Sequence, residues 1–277
     1  MPTKKPLCLP PLTEEQLDKF RWIRDRFKDE TPLPSRFNPR IKNSAIWLRV
    51  VSQVVVIGGA AQAAKLRDPS ISEKLDYERI CSVSDKRALK LIGEALREIG
   101  TRRVSAKNPE LSPKVVHLAK NLDILKSYPG GPRGFVRKLE ALDSSVARRT
   151  YVMDCLSYFG PKGSRDFLTT GLGLATDLIA LDSRVMGVVR RIVPDWPETV
   201  KKDEYDALED YLVREVCTPL SIPPVLLDQL LFRHSKEINA KLDSMTLDPD
   251  LSHIPTEALK RHQRQIHAEL QRRMAPA

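Results

Sequence analysis

The sequence is short of the features that build a metal centre, a β-sheet or a membrane span. Its four cysteines (Cys8, Cys81, Cys155 and Cys217) are scattered along the chain and form no Cys-x-x-Cys pair. That excludes a zinc site or an iron–sulfur cluster assembled from neighbouring cysteines. Isolated cysteines of this kind suit a reducing compartment, where they act as small core fillers. The five histidines (His117, His234, His253, His262 and His267) follow no metal-ligand spacing, so no metal is expected. The longest apolar stretch, Val50 to Ala64, follows Arg49 and is interrupted by Ser52, Gln53 and Gln62. It is too short and too polar to cross a bilayer, and no membrane partner is expected. No apolar run follows the charged opening Met1–Pro6, so no secretory signal is expected and the chain reads as cytoplasmic or nucleoid-associated, or nuclear in a eukaryote. Strand-like alternation is scarce, and there is no internal repeat or low-complexity block.

What remains is a basic, soluble, helical chain. The 277 residues are 41% hydrophobic and 30% charged, enough for one large domain or two moderate ones. The formal net charge of +10 favours a polyanionic partner, with nucleic acid first among them. From Ser84 to Gly100 the apolar residues Ala88, Leu89, Ile92, Ala95, Leu96 and Ile99 recur at three- and four-residue steps. Ser84 is placed to cap that helix and Gly100 to end it in a left-handed turn. The same reasoning predicts helices over 13–28, 44–66, 112–126, 133–142, 144–157, 162–172, 183–193, 202–216, 224–242 and 256–274. The 44–66 helix is nearly all apolar and therefore central. Residues 32–40 and the segment Pro129-Gly130-Gly131-Pro132 read as irregular. The expected class is all-α, with two helical lobes and a cleft. Residues 1–40 form an N-terminal extension, 41–247 the main helical domain and 248–277 a basic C-terminal helix.

One stretch carries chemistry. Tyr158-Phe159-Gly160-Pro161-Lys162-Gly163-Ser164 reads as a helix end, a tight glycine turn and the start of a second helix. Gly160 lets the backbone approach a ligand, and Pro161 fits a first helical turn, where its missing N–H costs nothing. The N–H groups of Gly163 and Ser164 then face an anion such as a phosphate. Lys162 sits at the same positive helix end, which disfavours a second positive charge, and an amine attacks carbon only when neutral. Asp182 follows the apolar run Leu178-Ile179-Ala180-Leu181 and is placed to cap the next helix by accepting from Arg184 or Val185.

Together these residues resemble the helix-hairpin-helix superfamily of base-excision DNA glycosylases over about residues 154–191. Phe159-Gly160-Pro161-Lys162 is similar to the family hairpin that ends in the catalytic lysine. Ser164-Arg165-Asp166-Phe167-Leu168 is similar to the second hairpin helix of the 8-oxoguanine glycosylase branch. Gly171-Leu172-Gly173 and the apolar run before Asp182 look like the loop and approach to that branch's catalytic aspartate. Tyr158 stands where the family has its first hairpin glycine, and Arg184 stands where it often has a histidine. The iron–sulfur motif of the endonuclease III branch is absent. Further on, Leu227-Asp228-Gln229-Leu230-Leu231-Phe232 resembles the late helix that borders the base pocket, with Asp228 and Phe232 four apart on one face.

The resemblance implies a bifunctional glycosylase and lyase acting on double-stranded DNA that contains a damaged base, the best candidate being an oxidised purine such as 8-oxoguanine. In that role Lys162 attacks the sugar and Asp182 stabilises the charge that develops. Gly160, Gly163, Ser164 and Arg184 meet the DNA backbone, while Asp228 and Phe232 face the base. Arg133, Arg137, Lys138, Arg148, Arg149, Arg190, Arg191 and the tail residues Lys260, Arg261, Arg264 and Arg272 offer further phosphate contacts. No metal or organic cofactor is implied, and the chain is expected to act as a monomer. A non-catalytic helix-hairpin-helix DNA-binding protein is the alternative, followed by a basic protein-interaction module.

Overall fold

The computed structural model describes residues 9–57, 60–105 and 107–246. Those residues form helices and no strands, the all-α class that the periodicity predicts. The expected helix over 256–274, the basic tail and three of the histidines lie outside them. The chain divides into two compact units, Met1–Ser235 and Lys236–Ala277.

The first unit opens with α1 (Glu14–Phe27), where Thr13 and Gln16 bond each other's backbone in a reciprocal capping box. Next come α2 (Asn43–Val56), α3 (Ala60–Ala64), α4 (Pro69–Lys74) and α5 (Tyr77–Cys81). Asp68 and Asp76 cap α4 and α5, two short helices that the hydrophobic pattern is too brief to announce. The chain continues through α6 (Asp85–Glu98), α7 (Pro113–Lys126), α8 (Pro132–Glu140) and α9 (Ser145–Cys155). Beyond these lie α10 (Pro161–Asp166), α11 (Ser183–Ile192), α12 (Tyr205–Leu212), α13 (Thr218–Leu220) and α14 (Pro224–Arg233). The last described helix, α15 (Ser235–Thr246), leads into the second unit.

At the centre of the core is α2, as its composition predicts. Ile46, Trp47, Val50, Val51, Val54 and Val55 are all buried, against α5, α7 and α8. The end of α6 also follows the sequence. Gly100 adopts φ +77°, and the Thr101 N–H reaches back to the Leu96 carbonyl at 2.9 Å, closing the helix in a Schellman turn.

Two long helices expected from the pattern are broken. The 44–66 segment stops at Val56, where the Lys114 ammonium of α7 donates to the carbonyls of Val55 (3.1 Å) and Ile57 (2.7 Å). These helix-end carbonyls lack the next turn's N–H groups, and a buried cation satisfies them instead. The 224–242 segment breaks at His234, whose ring stacks on Phe27 with centroids 4.3 Å apart. Its Nε2 lies 3.0 Å from the Thr31 hydroxyl.

Beyond α10 the helix widens into a π turn, Phe167–Gly171. The Thr169 and Thr170 hydroxyls bond the carbonyls of Arg165 and Asp166 four residues back, a pattern that loosens helical geometry. Gly173 follows at φ +70°, and a Cβ there would lie 2.1 Å from the Ser35 carbonyl. The irregular 32–40 segment is therefore packed directly against the loop before the Asp182 run, with Phe37 N–H bonded to Gly173 O at 3.1 Å.

Lys114→Met keeps the apolar stem but leaves the Val55 and Ile57 carbonyls without a donor. It should destabilise the protein by about 1–3 kcal/mol in urea unfolding.

Candidate active site

The turn between α9 and α10 is held from outside. Asn121 of α7, which has no exposed surface, accepts the Ser157 N–H at 2.6 Å and donates to the Ser157 carbonyl at 2.9 Å. His117 Nδ1 lies 2.6 Å from the Ser157 hydroxyl. The next residue, Tyr158, adopts φ +73°. A side chain in that left-handed region costs roughly 1–2 kcal/mol, which is why glycine is common there. The Tyr158 ring is tilted on the His117 imidazole at 4.8 Å, and the buried Phe159 meets Phe167 edge-on at 5.4 Å. Tyrosine thus makes a turn that glycine commonly makes and anchors it by ring contacts that glycine lacks.

Gly160 is not the residue that needs conformational freedom. It sits in extended backbone (φ −96°, ψ −172°), and a Cβ on Gly160 or Gly163 would meet nothing within 4 Å. Ser164, expected to offer its N–H outward, is buried. Its N–H donates to the Gly160 carbonyl at 3.0 Å and its hydroxyl to the Pro161 carbonyl at 3.0 Å. It is the first residue of α10 with an acceptor four residues back, so its donor is used within the helix.

Lys162 and Asp182 come together as the walls of one cavity of about 550 Å³. Gly160, Pro161, Gly163, Met186 and Tyr205 line it with them, and Gln53 and Val56 contribute from α2. The Gln53 side-chain oxygen is buried with no hydrogen-bond partner among the described residues. Lys162 is ion-paired with Asp166, one helical turn further along. Burial raises the Asp166 carboxyl above the usual range, against the pull of the Lys162 ammonium. Asp182 caps α11, with one oxygen accepting from the N–H of Arg184 (2.8 Å) and of Val185 (2.9 Å). That is the cap its sequence position predicts.

The run leading to Asp182 is held by its backbone. Three consecutive N–H groups donate to side chains of other helices: Ile179 to Glu209 (2.7 Å), Ala180 to Asp228 (3.0 Å) and Leu181 to the Tyr205 hydroxyl (2.5 Å). An extended buried segment without a neighbouring strand needs such acceptors, or its donors are lost to water without return. Arg165 then ties this run to the lysine helix. Its guanidinium is completely buried and donates to both Glu209 oxygens, to Asp206 (2.9 Å) and to the Pro161 carbonyl (3.0 Å). It also lies over the Tyr205 ring, 4.2 Å from its centre.

Other sequence-named residues fall elsewhere. Asp228 lies beneath the run rather than on the cavity wall, bonded to Ala180 and to the Gln229 amide (2.9 Å). Burial, with the Asp166 charge nearby, pushes its carboxyl up to about 7. Phe232 is also off the wall, with the exposed Arg184 guanidinium 4.7 Å from its ring centre. Arg148 bonds the carbonyls of Leu139, Leu142 and Leu174, and Arg149 pairs with Asp206, so both serve the interior. Sequence reasoning did not single out Asp166, Arg165, Glu209, Tyr205 and Gln53. Only Asp166 had a local signal, its four-residue spacing from Lys162 on one helix.

Arg165→Met leaves Glu209 buried and uncompensated, and should cost about 3–5 kcal/mol in urea unfolding. Asp228 has a pH signature. Its folded carboxyl titrates higher than its unfolded one, so the stability it permits is complete below the ordinary value of 3.8 and is lost as pH rises towards about 7. Asp228→Asn should flatten that decline in melting temperature between pH 4 and 7.

No protein-family model matches the sequence, and no curated protein matches it either. Solved structures do. The 8-oxoguanine DNA glycosylase of Thermotoga maritima aligns over 79% of this chain and 95% of its own, with 19% identity and a TM-score of 0.53. The 8-oxoguanine DNA glycosylase of Methanocaldococcus jannaschii aligns over 79% and 84%, with 10% identity and a TM-score of 0.50. The chain therefore has the helical fold of these glycosylases, carried by a sequence that shares few of their residues.

Proposed function

We propose that the chain is a base-excision DNA glycosylase with lyase activity, acting on duplex DNA that carries an oxidised purine such as 8-oxoguanine. The observation that carries this reading is that Lys162 and Asp182 wall the same cavity, on a fold shared with 8-oxoguanine DNA glycosylases. The net charge of +10 suits a phosphate backbone. The cavity, about 550 Å³, lies in the size range of small-ligand sites and is suited to one extruded nucleotide. Extrusion costs roughly a few kcal/mol of lost stacking and pairing.

In the proposed reaction the neutral Lys162 amine attacks C1′ of the deoxyribose. The N–C1′ bond forms and the bond to the base breaks, its electron pair leaving with the base, which takes up a proton. Asp182, fixed by its two backbone donors, stabilises the positive charge that develops on the sugar. Opening of the sugar ring gives a Schiff base between Lys162 and C1′, from which β-elimination cuts the strand. Gln53 supplies a buried acceptor towards a base N–H. The hairpin meets the DNA backbone through Gly160 and Gly163, where no side chain intervenes, and Arg184 adds a cation. Both reacting side chains come from one chain and the chemistry needs no metal or organic cofactor, so we infer that a monomer is sufficient.

Borohydride should trap the wild-type protein covalently on a duplex containing 8-oxoguanine or an abasic site. Lys162→Gln should abolish trapping while DNA affinity stays within about twofold, and Asp182→Asn should slow base release about 100- to 1000-fold. Duplex binding without trapping by the wild type would leave a DNA-binding protein in place of the enzyme.

A further inference from the structure

Lys162 is not alone at its end of the cavity. Asp166 follows it by one helical turn, pairs with its ammonium and keeps only 17% of its own side chain exposed. Asp166 faces Lys162 on its own helix, Asp182 at the start of α11, Asp228 on α14 and Tyr205 on α12. The wall of the same cavity also carries the cations Arg190 and Lys202 and the acid Glu198. An ordinary i,i+4 pair on a helix surface is solvated and contributes a few tenths of a kcal/mol. This pair is set between the cavity and the protein interior, and its carboxylate has neighbours of its own sign.

We propose that Asp166 is the proton acceptor that converts the Lys162 ammonium into the attacking amine. The proposal rests on the glycosylase reading above. In the step, one Nζ–H bond of Lys162 breaks and an Oδ2–H bond forms on Asp166. The electron pair of the broken bond stays on nitrogen and becomes the nucleophile. The pair passes from ammonium and carboxylate to amine and carboxylic acid, with its net charge unchanged at zero. No proton has to reach water, and no further reagent is needed. Burial has already raised the affinity of Asp166 for a proton, which favours the transfer. Asp182 is less suited to the task, since its cap bonds to Arg184 and Val185 hold its carboxylate on α11.

The test uses the whole protein and a duplex with a single abasic site, so that base choice plays no part. Single-turnover borohydride trapping is measured from pH 6 to 9. If the proton moves within the pair, the wild-type rate is flat over that range. Asp166→Asn should then trap at least about 100-fold more slowly at pH 7, with DNA affinity within about twofold. Its rate should climb about tenfold per pH unit, because the amine must now lose its proton to solvent. Asp166→Glu should restore the flat profile in part. A wild-type rate that itself climbs tenfold per unit would overturn the proposal, and this measurement needs no variant to fold. An Asp166→Asn protein with wild-type rate and profile would overturn it, as would one uniformly slow at every pH. Failure of the wild type to trap at all would instead sink the glycosylase reading.

Discussion

The site depends on a charge that cannot be left unpaired. Arg165 has no exposed surface, and a buried guanidinium without a partner carries a penalty of several kcal/mol. Its partner, Glu209, comes from a helix more than forty residues later and also holds the Ile179 N–H. One ion pair therefore fixes the distance between α10, which carries Lys162, and the run that ends in Asp182. Neither charge can be desolvated until both helices have arrived, so the pairing favours a single mutual arrangement over near alternatives. Asp206 strengthens that coupling by joining Arg165 to Arg149 of α9.

The hairpin follows a different rule. The left-handed position after Ser157 is one that glycine fills without strain, yet this chain places Tyr158 there and offsets the cost by contact. Asn121 holds the residue before it by two backbone bonds, and His117 supplies a ring for Tyr158 to lie on. Backbone freedom has been exchanged for tertiary anchoring, so the turn requires α7 where a glycine turn would form more independently. The two glycines that remain, Gly160 and Gly163, have open space where a Cβ would project. Nothing among the described residues requires them to be glycine, which fits a turn whose outer side is approached by another molecule's backbone.

The sequence made Lys162 and Asp182 legible because both sit at helix starts, where proline, glycine and a capping carboxylate leave local marks. The α6 helix and its Gly100 terminus were legible for the same reason. What it hid were the groups whose meaning is tertiary. Arg165 and Glu209 read as surface charges until each is seen to lie in the other's burial. Asp228 reads as half of a helix face, but its carboxylate turns inward to take the Ala180 N–H. The break at Val56 was hidden because its cause, the Lys114 ammonium, comes from a different helix, and apolar periodicity cannot register a distant donor.

In a chain with a net charge of +10, Lys162 pairs with Asp166 and shares its cavity with the acids Asp182 and Glu198 as well as the cations Arg190 and Lys202. Contact with phosphate alone gives no use to the carboxylates, since they repel a phosphate backbone. The two signs make sense if they act at different ranges. The overall positive charge draws a polyanion from a distance, limited by screening to about 10 Å at ordinary ionic strength. Asp182 acts at the cavity wall and Asp166 through its pairing with Lys162, where burial makes each charge count for more. In the proposed reaction they oppose a phosphate but favour a sugar carbon that becomes positive as its bond to the base breaks. The carboxylate paired with Lys162 is Asp166, whose proton affinity burial raises. On the proposed reading, stabilising a cationic sugar and accepting the proton of the nucleophile are thus two uses of neighbouring carboxylates.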